Sequence, residues 1–435
     1  MRHAPRAMES SASVVSPVPA SEQRIVLLLA AVQFVNILDF MMPSPLGPRF
    51  AADLGIETSA LGVIVSSYTL SAGIVGFAGA FFLDRFDRKI ALTICLVGLS
   101  FGTVGAALAH DLRSLVLARV LAGAFGGPAT SLTMAIIADL VPVERRGNAL
   151  GTVMMAFAMS SVFGVPIGLA LANWGSWHTP FVVTGLLCLG AAMLAHFVLP
   201  SMPGAKNASE TDIFTTLRAL LADKAVAGSY LAAFSSSFGT FVLIPNIASF
   251  VQNNLRYPGE YLFLLYGAGG VASVLVLRPF GRLVDRFGSF PVSLAGTLGY
   301  AVVAVIGFVV SPQIVEAAGA LGMQSTLGVA WSFGWLFVIL VFVAFMITSN
   351  ARNVSTQTLA SRVPAPALRA RYQSMQSMVQ HLGLAAGGLL GPVVLTSDPD
   401  GSLHGIPTMV LISIVSLLIV LPLIRFVEVT VNARR

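Results

Sequence analysis

Twelve apolar runs of about twenty residues or more are separated along the chain by polar connections that hold most of its charge. At about 1.5 Å per residue, a helix of such length crosses a hydrocarbon core of roughly 30 Å. The runs lie near residues 25–50, 59–83, 90–109, 114–141, 149–173, 179–199, 225–252, 261–283, 290–311, 329–357, 370–396 and 405–427. Only helices and closed barrels satisfy every backbone group in lipid, and unbroken apolar runs of this length fit helices. The pattern predicts an all-α membrane protein with twelve transmembrane helices. Residues 1–23, rich in Ser, Pro and Ala and without an apolar core, read as a disordered tail and not a signal peptide. The charged stretch 200–224 reads as a linker between a bundle at 24–199 and another at 225–427, with 428–435 as a second tail.

Composition agrees: 56% of residues are hydrophobic, 10% are charged, and the mean hydropathy is +0.85. Such a chain is excluded from the soluble enzymes and the specific nucleic-acid binders. Its net charge of +6 is explained by topology. Nineteen Lys and Arg fall in the segments that share a side with the termini and three in the opposite connections, which predicts both termini in the cytoplasm and residence in the cytoplasmic membrane. Cys95 and Cys188 lie inside apolar runs, and the six His form no metal-ligand or triad spacing with the acids, so the sequence implies no cofactor, metal or enzymatic activity. It contains no phosphate-cradling loop for ATP.

The chain repeats itself. Asp84-Arg85-Phe86 recurs as Asp285-Arg286-Phe287, an offset of 201, and Pro45 recurs as Pro245, an offset of 200. Gly164-Val165-Pro166 with Gly168 is echoed by Gly387-Gly388 with Gly391-Pro392. Two six-helix bundles related by pseudo-symmetry follow, a device by which transporters rock about a site placed between their halves.

An ionisable group within lipid needs a reason to be there. Of nineteen acids only Asp39 is deep, 14 residues after Ile25 and therefore roughly 21 Å along its helix. Arg119, early in the fourth run, reaches a similar depth. Two roles fit Asp39: a proton carrier tuned by Arg119, or a structural ion pair or cap at the Pro43 and Pro45 break. Gln33 and Asn36 extend a polar strip on the first run. Gln373, Gln376, Ser377 and Gln380 form a second strip on the eleventh run at intervals of three and four, with His381 beside them as a second proton carrier or a hydrogen-bonded bystander. Arg352, flanked by Asn350 and Asn353, either meets substrate or bonds to nearby carbonyls. Asp84, Arg85, Asp87, Arg88 and Lys89 crowd one short connection, where mixed charge can latch one conformation. Paired glycines at four-residue spacing read as helix packing.

The segment Ala80-Phe81-Phe82-Leu83-Asp84-Arg85-Phe86-Asp87-Arg88-Lys89 resembles the signature connection of the major facilitator superfamily, with Ala80 and Asp87 where that family usually carries Gly. The resemblance implies the major facilitator fold, a monomer, a small-molecule substrate, and gating roles for Asp84, Arg85, Arg88 and Lys89 and for Asp285 and Arg286 in the second copy. Gln33 to Met42, followed by Pro45-Leu46-Gly47-Pro48, is similar to the twelve-helix drug:proton antiporter branch. There the acid of the first helix and the arginine of the fourth take part in proton coupling, which falls here on Asp39 and Arg119. The fifth-helix antiporter motif is matched loosely by Gly151, Gly164, Pro166 and Gly168. The expected function is proton-coupled efflux of a small amphipathic compound by alternating access. A proton-linked or passive transporter of sugars or metabolites, and a transporter-like sensor, are the alternatives.

Overall fold

A computed structural model of the chain describes residues 20–203, 218, 221–320, 333–364 and 369–434. Most of the expected tail, most of the 200–224 linker, the middle of the connection after the ninth span and the side chain of Asp84 lie outside these residues. Twelve helices are long and apolar enough to cross a membrane: Glu22–Met41, Thr58–Gly79, Arg88–Ala107, Leu112–Leu140, Arg145–Trp174, His178–Val198, Lys224–Asn254, Gly259–Phe287, Ser289–Ile314, Gly334–Arg362, Arg371–Val394 and Ile406–Asn432. They are called the first to twelfth spans below. The only strands among the described residues are Thr396–Ser397 and Leu403–His404, an antiparallel pair between the last two spans.

Local chemistry sets the ends of these helices. Asp111 caps the fourth span, its carboxylate accepting from Ser114 N at 2.7 Å while the Ser114 hydroxyl accepts from Asp111 N at 3.2 Å. Asp223 caps the seventh span and also holds Arg434 at 2.7 Å. Glu428, from the twelfth span, accepts from the backbone of Ser289 and Phe290 and so caps the ninth. The first apolar run, expected to be one helix over 25–50, divides into helices Ala20–Met41 and Pro43–Leu54. Pro43 and Pro45 have no N–H for the preceding turn, so the ladder breaks there although Met42 keeps helical dihedrals. Pro166 acts similarly: the preceding turn widens, and Val165 N donates five residues back to Ser160 O.

The packing differs between the two ends of the molecule. On the side away from the termini, one continuous apolar core joins both halves and includes Met42, Phe50, Trp177 and Phe181 from the first and Phe250, Tyr300, Phe345 and Leu417 from the second. On the termini side the cores are separate. Leu29, Leu92, Ile136 and Val153 belong to the first-half core, and Tyr230, Leu359, Tyr372 and Ile424 to the second-half core. Three seams close the far side. Ser44 Oγ donates to Ile244 O at 3.0 Å, Asn173 Nδ2 donates to Glu260 O at 3.1 Å, and a Cβ added at Gly62 would land on the carbonyl of Gly388. The fifth and eighth spans show the change along their length. Gly270 lies against the backbone of Ser161, whereas Gly147, Gly151 and Gly281 face open space. The molecule is closed on the far side and open on the termini side.

Because backbone meets backbone at Gly62, Gly62→Ala is expected to push the second and eleventh spans apart and weaken the far-side seal. Spin labels at Trp174 and Glu260, measured by pulsed dipolar spectroscopy, should then gain a longer-distance population absent from the parent protein.

Candidate functional site

Asp39 and Arg119 are both 0% exposed. Arg119 Nη1 donates to Asp39 Oδ1 at 2.8 Å, and Arg119 Nη2 donates to the Asp39 backbone oxygen at 3.1 Å. The hydroxyl of Thr103 donates to the same Oδ1 at 2.8 Å. One carboxylate oxygen therefore gathers the first, third and fourth spans, while Asp39 Oδ2 and Arg119 Nε have no partner. Asp39 lies three residues before the break at Met42, near the end of its helix. The cationic side chain comes from a span running in the opposite direction, so the two charges meet at one depth.

The pair is one end of a longer polar chain. The guanidinium of Arg119 stacks 4.6 Å over the ring of Tyr68, whose hydroxyl donates to Asn36 Oδ1 at 3.0 Å. Asn36 Nδ2 in turn donates to Gly126 O at 2.9 Å and to Thr130 Oγ1 at 2.8 Å. A Cβ at Gly126 would strike the Tyr68 hydroxyl, so this glycine leaves the room that the chain needs. Gln33, one turn before Asn36, is buried with its carbonyl oxygen unpartnered.

The second half holds its own buried cation. Arg352 Nη2 donates to Thr240 Oγ1 at 2.7 Å, and its guanidinium lies 4.6 Å over Tyr300. Asn350 donates instead to Ser273 of the eighth span, and Asn353 is exposed. The expected strip on the eleventh span is divided. Gln376 is buried with both amide atoms unpartnered, Gln380 is half-buried, and His381 packs at 2.8 Å from the Cβ position of Gly73 on the second span. His381 thus stands at the seam between the halves. An apolar groove of about 330 Å³, lined by Phe280, Phe287, Val292, Gly296, Ile347 and Ala351, lies apart from the Asp39–Arg119 pair. Among the described residues no group of His, Cys, Asp and Glu is placed to hold a metal.

At the termini side, Arg88 pairs with Asp139 at 2.5 Å and donates to Ala135 O, within the first half. In the second copy Asp285, the counterpart of Asp84, pairs with Arg362 at 3.2 Å within the second half. Arg85 is exposed, and Arg286 covers the ring of Phe287. These pairs hold each bundle together while the side between them is open. Asp87, at one of the two family glycine positions, is a cap: it accepts from Lys89 N and Ile90 N, and also from Ser201 Oγ at 2.5 Å and Met202 N at 3.2 Å. Its φ of −61° needs no glycine, unlike Gly288 in the second copy at 91°. In the fifth span, Gly164 and Gly168 lie against Leu38 and Met42 of the first span, Pro166 carries the widened turn, and Gly151 touches nothing.

Thr103, Tyr68, Thr130, Thr240 and Tyr300 belong to these clusters and carry no sequence motif. The repeat offset of 201 would have flagged one of them, since it carries Asp39 onto Thr240.

Removing one member of a buried ion pair leaves the other charge alone, which costs about 3–5 kcal/mol. Arg119→Gln and Asp39→Asn are each expected to lower stability on that scale. The double variant should lose less than the two together, with a coupling of about 1–3 kcal/mol in thermal or denaturant unfolding of the four proteins. At Asp87 slight burial pulls the pKa up, but the bonds from Ser201, Met202, Lys89 and Ile90 outweigh it and hold the pKa below the ordinary carboxylate value. A lowered carboxylate pKa stabilises fully above the unfolded value, about 3.9, and the contribution disappears as pH falls through the folded value. Asp87→Ala should therefore lower the unfolding midpoint at pH 7, by about 1 kcal/mol for the lost cap, and the gap should close below about pH 4.

The family model of the Major Facilitator Superfamily matches residues 29–388. An uncharacterized MFS-type transporter, YceJ, of Bacillus subtilis (strain 168) is 24% identical over 274 residues, covering 62% of this chain and 69% of the relative. Among solved structures, a bacterial homologue of the human lysosomal transporter Spinster, inward-facing and unoccupied, aligns with a TM-score of 0.68 at 16% identity over 95% of this chain and 98% of its own. A D-xylose–proton symporter aligns with a TM-score of 0.69 at 18% identity over 92% and 96%. The nucleoside transporter NupG aligns with a TM-score of 0.67 at 16% identity over 92% and 98%. These likenesses establish the twelve-span transporter fold, and with the family match the chain belongs to the major facilitator superfamily, whose members are membrane transporters of small molecules that typically act as monomers.

Proposed function

We propose that this transporter is proton-coupled and exports a small amphipathic compound by alternating access. The observation that carries the reading is the Asp39–Arg119 pair, wholly buried, with one carboxylate oxygen engaged and the other without a partner. A coupling group must exist in two protonation states whose energies depend on conformation. A carboxylate at this depth meets that need. With Arg119 in contact it is compensated, and with the contact broken it is left charged in a low-dielectric interior unless it takes a proton.

Arg119 sets the balance between these states, and Tyr68 with Asn36 holds the guanidinium plane in place. Gln33, Asn36, Arg352, Gln376, Gln380 and His381 face the substrate path in this reading, and the paired charges at Asp84 to Lys89 and at Asp285 and Arg286 act as gates. The open side is the cytoplasmic one, in keeping with the excess of Lys and Arg there, and the membrane is the cytoplasmic membrane. The alternative, proton-linked or passive movement of a sugar or metabolite, draws on the D-xylose–proton symporter and the nucleoside transporter whose folds align. It differs in substrate and in direction, and one assay reads both.

Oriented proteoliposomes with an acidic lumen and a lumenal pH dye, challenged with drugs, sugars and metabolites, test the reading. Substrate-dependent loss of the gradient is expected with the parent protein and should be abolished in Asp39→Asn reconstituted to the same density. Undiminished proton exchange by Asp39→Asn would remove Asp39 from the mechanism, and substrate leaving the lumen together with protons, in place of entering it in exchange for them, would replace export by the alternative.

A further inference from the structure

The two halves repeat one another's scaffold but not its charges. Arg119 and Arg352 lie on the fourth span of their respective halves, and each guanidinium sits 4.6 Å over a tyrosine ring, Tyr68 and Tyr300. Each also reaches the first span of its own half, Arg119 to Asp39 and Arg352 to Thr240. Asp39 and Thr240 are related by the same offset of 201 that relates Asp84 to Asp285. The second half thus has a buried cation of its own, over a tyrosine from its third span where Tyr68 comes from the second, and at the position related to Asp39 it has a hydroxyl where the first half has a carboxylate.

This leaves a full charge without compensation. A guanidinium does not lose its proton in proteins, so Arg352 cannot escape its position by becoming neutral, as a buried lysine can. It is 3% exposed, and among the described residues no acid forms an ion pair with it. Its Nε and Nη1 have no partner, although both are strong donors. The hydroxyl of Ser349, one turn before Arg352, and that of Thr297, one turn before Tyr300, are likewise buried without partners. Tyr300 is turned elsewhere, its hydroxyl bonded to Ser413 at 3.0 Å. Unused donors around a fixed positive charge are the chemistry of an anion site.

We propose that Arg352, held in place by Thr240, is the anion-binding group of the second half: a monovalent anion, the carboxylate of a transported molecule or a halide, seats at its free donors and supplies the charge that Asp39 supplies in the first half. The inference deepens the transport reading above by naming a ligand class for Arg352. It is tested by binding and needs no proton gradient, so the two readings fail separately.

Unfolding midpoints of the full chain in detergent are measured against sodium benzoate, sodium chloride and neutral benzamide, with ionic strength held by a bulky sulfonate. A saturable rise is expected with benzoate, with chloride or with both, and none with benzamide. Benzoate acting where chloride does not assigns the site to a carboxylate; chloride acting alone assigns it to a halide. Arg352→Gln should weaken half-saturation by roughly tenfold or more, the scale of one charge-assisted bond. Thr240→Asp restores the internal acid, so it should unfold at a higher midpoint than the parent without added anion and lose the response. This variant keeps the test intact if Arg352→Gln does not fold. No saturable response in the parent protein, an equal response to benzamide, or a response unchanged in Thr240→Asp would overturn the proposal.

Discussion

An ion in a hydrocarbon interior costs several kcal/mol, and the centre of this molecule is arranged around that penalty. Asp39 and Arg119 are tolerated at zero exposure because each is the other's compensation and because neutral groups take up part of the remaining hydrogen-bonding capacity. Thr103 donates to the acid, the Asp39 carbonyl accepts from the base, and the Tyr68 ring supplies a face for the guanidinium. Four spans meet in these contacts, and Gly126 makes room for the fifth contact, from Tyr68 to Asn36. Any event that changes the charge on Asp39 therefore acts on the packing of the first four spans. This is why the pair, and not the more numerous charges in the connections, is the natural place to link chemistry to shape.

The second organising feature is the unequal treatment of the two membrane faces. The apolar core runs through both halves on the far side and is split on the termini side, so closure and opening are properties of the seam, and each half retains a core of its own. Breaks in the helices cluster with the closed seam: Pro43 and Pro45 in the first half face the turn at Ile244–Asn246 in the second, and Pro166 widens the fifth span beside the eighth. On the termini side the ion pairs Arg88–Asp139 and Arg362–Asp285 each remain inside one bundle. The halves are thus internally tied by charge and mutually tied mainly by apolar contact, with the hydrogen bonds from Ser44 to Ile244 and from Asn173 to Glu260 added at the far-side seam; apolar contact, being non-directional, is the kind that can part and re-form without leaving buried polar groups unpaired.

Much of this was legible in the chain because lipid imposes simple rules. Twelve apolar runs become twelve candidate spans, since length and apolarity together decide whether a helix can cross. Asp39 and Arg119 stood out because charge is rare at depth, and their shared depth followed from counting residues. Other features had no such signal. Thr103 and Tyr68 are common residue types in apolar helices, and which faces meet is fixed by packing that hydropathy does not encode when a helix is apolar all round. Asp87 reads as a departure from a glycine pattern until the backbone is seen, when it becomes a cap bridging to Ser201 and Met202. The division of the first run at Pro43 was written in its prolines, but helical dihedrals at Met42 keep the chain running in nearly the same course, so the run looks continuous.

If the transporter is proton-coupled and Arg352 takes an anion, as proposed above, the repeat also sets a condition on how coupling works. Among the described residues the fully buried charges are Asp39, Arg119 and Arg352, so the interior carries a net positive charge. A proton on Asp39 increases that charge, and an anion beside Arg352 decreases it. By electrostatics alone the two arrivals favour each other, and by linkage the preference is mutual. Exchange in opposite directions then cannot arise from direct repulsion between proton and anionic cargo. It requires the conformational cycle to present the two sites in different states, so that the proton is taken up while the cargo site faces one side and released after it faces the other. A cargo carried with the proton needs no such separation. The sign of the charge in the second half therefore decides how much of the coupling the moving seam must supply and how much the field between the halves supplies by itself.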